Sequence, residues 1–213
     1  MLGMISIVLN ILIGIPLGIT AATHRNTFRD QGLLVSAMVF ISVPQFFLAQ
    51  VLVVLFAVEL GWLPPFGIDT WKCWILPVLS MSLGNTAYYA MWLRRYMVDE
   101  SQKDYVMLAR IKGADENRIM FRHVFRNSFV PLAQYIPTSF LNTVIGSIYI
   151  ESLYSIPGMG GLLVDVIKKQ DNAMIQGIVL LFACVGVIGL LLGDIMMVIL
   201  DPRINFSKKG GDR

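Results

Sequence analysis

Few side chains in this chain could carry out covalent or redox chemistry. The two histidines, His24 and His123, stand far apart, and the two cysteines, Cys73 and Cys184, have neither CxxC spacing nor a histidine neighbour. Neither pair reads as a metal site or a disulfide. No GxxxxGK[ST] phosphate loop, GxSxG elbow, HExxH helix or carboxylate pair occurs, so the chain reads as neither an ATPase nor an intramembrane hydrolase. What the residues offer is recognition. From Asp99 to Asn127, Lys103, Arg110, Lys112, Arg118, Arg122 and Arg126 alternate with Asp99, Glu100, Asp104, Asp115 and Glu116. Such mixed charge in a helix-forming stretch suits a surface held by a partner in water.

The surroundings of that stretch are apolar. The 213 residues are 56% hydrophobic and 15% charged, against about 25% charged in an ordinary soluble domain. Five runs approach the ~20 residues that a bilayer core requires: 2–22, 33–58, 74–93, 128–150 and 176–200. Together they predict an all-α polytopic membrane protein in a single domain, 1–213, with a polar loop over 94–127. The fourth run holds Pro131, Pro137, Gln134, Asn142 and Thr143, so one of its faces should meet protein or water rather than lipid.

Orientation follows from the basic residues. All of the 17 Lys and Arg residues except Lys72, Lys168 and Lys169 fall on one side of this arrangement, which predicts that side, with the C-terminus, to be cytoplasmic. Trp62, Trp71 and Trp74 lie at the opposite interface. Met1 is then outside. The run after it has no positively charged stretch ahead of it and no good cleavage site, so it is not read as a signal peptide, and an earlier span is expected before it.

Inside the loop, good helix formers run from Tyr105 to Lys112 and stop at Gly113; Asp115 suits an N-cap, and Arg118, Phe121, Arg122, Phe125 and Arg126 follow at helical spacing. The loop therefore predicts helix, glycine turn, helix. Such an element could rest on lipid headgroups, pack on its own bundle or dock into a soluble partner.

Residues Tyr105, Ala109, Arg110, Lys112 and Gly113, followed by Arg118, Arg122, His123, Arg126, Asn127 and Pro131, resemble the signature loop of binding-protein-dependent ABC transporter permeases, nearest to the dipeptide/oligopeptide/nickel branch. The resemblance extends through 14–18 and Arg29-Asp30, 42–47, 60–64, 75–79, Glu151 with 155–160, and 200–204. The general permease loop carries Glu-Ala-Ala ahead of its glycine. Here those positions are Met107, Leu108 and Ala109, which points to the peptide/nickel branch. Family members also carry a first span and a large external segment that residues 1–213 do not contain.

The resemblance implies the transmembrane domain of a type I ABC importer in a bacterial plasma membrane. It implies a second, homologous permease, two cytoplasmic ATPase subunits that carry the ATP and Mg, and an external substrate-binding protein, with no cofactor held by this chain and no nucleic-acid partner. Tyr105, Ala109, Arg110, Lys112, Gly113, Ala114, Asp115 and Arg118 would form the contact that couples ATPase to permease. Peptides are the first expected substrate, with nickel or another metal chelate as the alternative.

Within the spans, Gly14/Gly18 and Gly189/Gly193 form GxxxG patterns suited to close helix packing. Asp194 is either a point on a transport path or the partner of a neighbouring helix. Asn85, Tyr88, Tyr89, Gln134, Thr138 and Asn142, with Thr86 and Thr143 beside them, are candidates for a pore lining. A secondary transporter, the competing class, would need an ion route of buried charges, for which only Asp194 qualifies. The 12 methionines read as adaptable packing rather than metal ligands.

Overall fold

In lipid every backbone polar group must be satisfied within the chain, so apolar runs of this kind become helices. The computed structural model describes residues 2–67, 69–145 and 147–201, with the side chains of Val144 and Ile145 left aside; Arg203, Lys208, Lys209, Arg213 and the matched residues beyond Asp201 lie outside the described residues. All regular structure among the described residues is helical.

Helix α1 (Leu2–Thr23) covers the first apolar run. Helix α2 (Phe28–Ser42) leads to α3 (Gln45–Val53), which continues into a wider π-helical turn over Val54–Glu59. The sequence reads 33–58 as one span, but the axis turns by 97° between α2 and the α3 segment. The cause is Pro44. It has no N–H to donate and forces the residue before it out of the helical region, and Val43 is indeed extended (φ −77°, ψ 124°). Apolar residues on both sides of the break hide it from a hydropathy window.

Helix α4 (Lys72–Ser101) is the central post, at 30 residues about 45 Å long. It contains the third expected span, 74–93. Helix α1 lies along it with almost no separation: a Cβ at Gly14 would stand 2.9 Å from that of Tyr89, and one at Gly18 would stand 2.8 Å from the Ala90 carbonyl oxygen. Buried Asn10 accepts from Thr86 Oγ1 (3.0 Å) across the same seam. At its far end α4 is fixed to the start of α2 by Arg94, whose Nε and Nη2 donate to the two oxygens of Asp30 at 2.9 and 2.7 Å. Asp30 is 1% exposed.

Past the polar loop the chain does not restart as a new span. Helix α6 (Glu116–Ile119), a π-helical turn (Met120–Phe125) and α7 (Arg126–Ala133) follow without a break, and α8 (Tyr135–Ile145) begins after a single turn residue, Gln134. The fourth expected span, 128–150, is therefore the continuation of a helix that starts in the loop, and it gives way at Ser147, the N-cap of α9 (Ile148–Tyr154). Helix α9 meets α10 (Met159–Lys168) at 84°. The turn between them closes on Glu151, whose carboxylate accepts from Gly161 N–H at 2.9 Å and fills the space that a Cβ at Gly158 would need.

Helix α11 (Asn172–Leu200) holds the fifth expected run. Helices α1 and α11 are each long and apolar enough to cross a membrane, as are the two bent pairs if each is counted as one span. Ser80, Ser82, Asn85 and Thr86 make α4 more polar than these helices.

Candidate functional site

The polar loop folds as a capped helical hairpin on the end of the bundle. Helix α5 (Asp104–Ile111) has Asp104 in its first turn and Arg110 in its last, the arrangement that a helix dipole favours. The chain then reverses through Gly113, at φ +77°, a conformation with little penalty for glycine alone. Asp115 caps α6 by accepting from Arg118 N–H at 3.2 Å. Arg110 and Glu116 pair across the turn. This pair holds the Glu116 carboxyl below its usual range, chiefly through the hydrogen bond from Arg110.

The hairpin has two faces. Inward, Val106, Ile119 and Val124 are each 0% exposed and join Tyr89, Leu93, Met97 and Leu132 in one core. Ala109 and Ala114 pack against the edge of that core. Outward, Met107, Leu108, Ile111 and Phe121 are exposed, Ile111 at 76%. Lys112 and Arg118 are exposed on the same hairpin, as are Asp104, Asp115 and Glu116.

Of the expected coupling residues, Lys112, Gly113, Asp115 and Arg118 are exposed. Arg110 is engaged with Glu116 inside the loop. Tyr105, Ala109 and Ala114 turn towards the bundle. The Tyr105 hydroxyl lies in a polar knot at the root of the hairpin. It donates to Glu100 Oε1 at 2.7 Å and accepts from Asn127 Nδ2 at 2.9 Å. Lys103 Nζ reaches the other oxygen of Glu100 at 2.7 Å. Burial on its own would raise the Glu100 carboxyl, but the bonds from Lys103 and Tyr105 outweigh it, so Glu100 is held below its usual range. Burial and the bond to Glu100 push the Tyr105 phenol up to about 12. The sequence names Glu100 among the loop charges, Leu108 and Ile111 as apolar contacts of the first helix and Phe121 at helical spacing, but sequence reasoning left all of these, with Met107, out of the coupling set. For the ridge the signal existed, since apolar residues at 107, 108 and 111 follow helical spacing.

The six pore-lining candidates separate into two groups. Asn85 and Asn142 are exposed, and half-buried Tyr88 meets the Tyr135 ring edge-on with centroids 5.6 Å apart. The other three are engaged in helix contacts. Tyr89 is 3% exposed, and its hydroxyl bonds Ser139 at 3.1 Å. Thr138 donates to the Gly189 carbonyl at 3.1 Å, and Gln134 Nε2 donates to Asp194 Oδ1 at 2.7 Å. Asp194 is thus the partner of a neighbouring helix. The contact is close because a Cβ at Gly193 would come within 2.5 Å of the Gln134 carbonyl oxygen.

Not foreseen is an aromatic row on α4. Tyr88, Trp92 and Tyr96 follow at one turn each, their rings 5.9 and 5.6 Å apart, with the Arg95 guanidinium 5.1 Å from the Trp92 ring centre. A cavity of about 290 Å³ opens beside Asn85 and Tyr88, at the Pro44 bend. Among the described residues, no group of three or more His, Cys, Asp or Glu side chains is placed to hold a metal ion.

Known proteins are similar to this sequence. The chain is 34% identical over 212 residues to the oligopeptide transport system permease protein AmiC of Streptococcus pneumoniae, covering 98% of this chain and 42% of AmiC. It is 36% identical over 197 residues to the glutathione transport system permease protein GsiC of Pectobacterium atrosepticum (92% of this chain, 64% of the relative) and 35% over 202 residues to that of Escherichia coli (95% and 66%). The chain thus spans less than two thirds of the length of these curated relatives. Residues 14–206 match the family described as binding-protein-dependent transport system inner membrane component. With its helical spans, its loop signature and this match over most of its length, the chain belongs to that family of membrane proteins.

Proposed function

We propose that the chain is a permease subunit of an ATP-driven, binding-protein-dependent importer of peptides, in a bacterial plasma membrane with its loop and C-terminus in the cytoplasm. A second permease, two ABC ATPase subunits carrying ATP and Mg, and an external binding protein complete the machine. The observation that carries this reading is the outward ridge of Met107, Leu108, Ile111 and Phe121. A hairpin capped at Asp115, closed by Arg110–Glu116 and anchored by buried Val106, Ile119 and Val124 is a preformed surface, and it presents apolar side chains together with exposed charges of both signs. Such a ridge matches a groove on a soluble partner, here the ATPase.

In this reading Met107, Leu108, Ile111 and Phe121 enter the partner, Lys112 and Arg118 meet acids at its rim, and Gly113 sets the turn. Tyr105, Ala109, Ala114 and Arg110 hold the hairpin's shape. Asn85, Tyr88 and Asn142, together with Tyr135, face the path. Peptide is supported as cargo by the relatives named for oligopeptide and for glutathione, itself a tripeptide. An ion route of the kind a secondary transporter needs finds no support at Asp194, which is bonded to Gln134.

The test is Ile111→Asp together with Leu108→Asp. Both side chains are exposed, so the chain should insert normally. ATPase subunits should no longer co-purify with it, and labelled tripeptide uptake should cease. Normal co-purification and uptake in this variant would overturn the reading.

A further inference from the structure

Behind the hairpin, where α7 leaves it, the knot of Glu100, Tyr105 and Asn127 forms one wall of a second feature. A cavity of about 800 Å³ opens there, lined by Lys103, Arg122, His123 and Arg126 and also by Val130 and Leu200. Arg122 and Arg126 lie four residues apart, both exposed, and neither has an ion pair or side-chain hydrogen bond among the described residues. Glu100 also borders the cavity, but its carboxylate is already engaged by Lys103, Tyr105 and Asn127. Asp201 closes the rim. Two guanidiniums without partners at a concave surface form a receptor for a phosphate-type anion, because their forked donors match its oxygens.

The remaining lining decides which anion. Val130 lies one turn further along α7 than Arg126, and Leu200 is the last residue of α11. Beside it Ile199 is 74% exposed. A soluble anion has no use for that apolar continuation, whereas an amphiphile does. We infer that the cavity binds an anionic phospholipid: Arg122 and Arg126 hold the phosphate of its headgroup, and its acyl chains run past Val130 and Leu200 onto the outer surface of α11. The bound lipid would brace the root of the hairpin against the bilayer surface. This inference rests on the chain being a membrane protein and not on its cargo.

The experiment uses the complex purified from membranes and placed in phosphatidylcholine nanodiscs with or without phosphatidylglycerol. Native mass spectrometry counts the lipid retained, and thermal melting records its effect. Wild type should retain phosphatidylglycerol and melt higher with it. Arg122→Gln/Arg126→Gln should retain about tenfold less, yet melt with wild type in pure phosphatidylcholine, while Arg122→Lys/Arg126→Lys, which keep the charge but lose the fork, should fall between the two. Equal retention by wild type and the double glutamine variant would overturn the inference. So would full displacement of the lipid by millimolar inorganic phosphate, which would mark a site for small soluble anions.

Discussion

Asn127 donates its amide hydrogen to the Tyr105 hydroxyl at 2.9 Å, and through that bond the first helix of the polar hairpin is tied to the base of the helix that returns into the membrane. Glu100, at the end of the central post, accepts from both residues. Three elements therefore meet at one phenol oxygen.

Replacing Tyr105 with Phe should remove that junction and keep the ring's packing. Loss of the hydroxyl deprives Asn127 and Glu100 of a partner each and should cost about 1–2 kcal/mol. The expected result is normal insertion and partner assembly, with less uptake per ATP hydrolysed. Paired measurements of ATP turnover and peptide uptake in proteoliposomes check it; an unchanged ratio would remove Tyr105 from the coupling geometry.

Gly113→Val should act through the backbone alone. No atom lies within 4 Å of the added Cβ, so crowding is not the difficulty. Strain at φ +77° is, at about 1–3 kcal/mol. The variant should insert and fold but lose coupling, seen as ATP turnover without uptake. Gly113→Asn, which tolerates the left-handed region better, should recover part of it.

Gly193→Leu should be worse for the bundle than for the hairpin. Its Cβ meets the Gln134 carbonyl oxygen at 2.5 Å, a backbone atom that cannot rotate away. Overpacking of about 1–3 kcal/mol is expected, with loss of the Gln134–Asp194 bond. A lower melting temperature in detergent, with ATPase binding retained, is the outcome to look for. Gly177→Leu, where the added Cβ meets nothing, serves as the control.

The buried Asp30–Arg94 pair predicts an acid limit. The hydrogen bond from Arg94 holds Asp30 below its ordinary value, against the opposing effect of burial. A depressed carboxyl contributes stability that is present above the unfolded value of about 3.9 and lost as pH falls through the lower folded value. Melting temperature should therefore fall below about pH 4. Asp30→Asn leaves Arg94 without its charge partner and should cost about 3–5 kcal/mol at neutral pH, and it should flatten that part of the pH profile. A profile identical to wild type would show that other carboxyls set the acid limit.

Much of this arrangement is legible in local sequence because its causes are local. Gly113 followed by Asp115 carries its turn and cap within three residues, and Gly14/Gly18 and Gly189/Gly193 mark seams that the structure closes. The 97° turn at Pro44 was visible as a proline but masked by apolar residues on both sides. The split of the pore candidates was not legible at all. Whether Gln134 faces a channel or Asp194 depends on how α7, α8 and α11 rotate against one another, and periodicity in a single helix does not contain that relation. For Glu100 the local partners Lys103 and Tyr105 were within reach of the sequence, whereas the bond from Asn127, 27 residues away, was not.

The helical backbone that runs unbroken from Glu116 to Ala133 spans 18 residues, or about 27 Å. Its middle six residues form a π-helical turn and Pro131 lies near its inner end, so it is continuous without being a uniform rod. One residue beyond its inner tip is Gln134, whose amide holds the lone carboxylate of α11. That bond, six residues before the end of α11, joins the inner end of the hairpin's helix to a second helix, so Asp194 ties the two together.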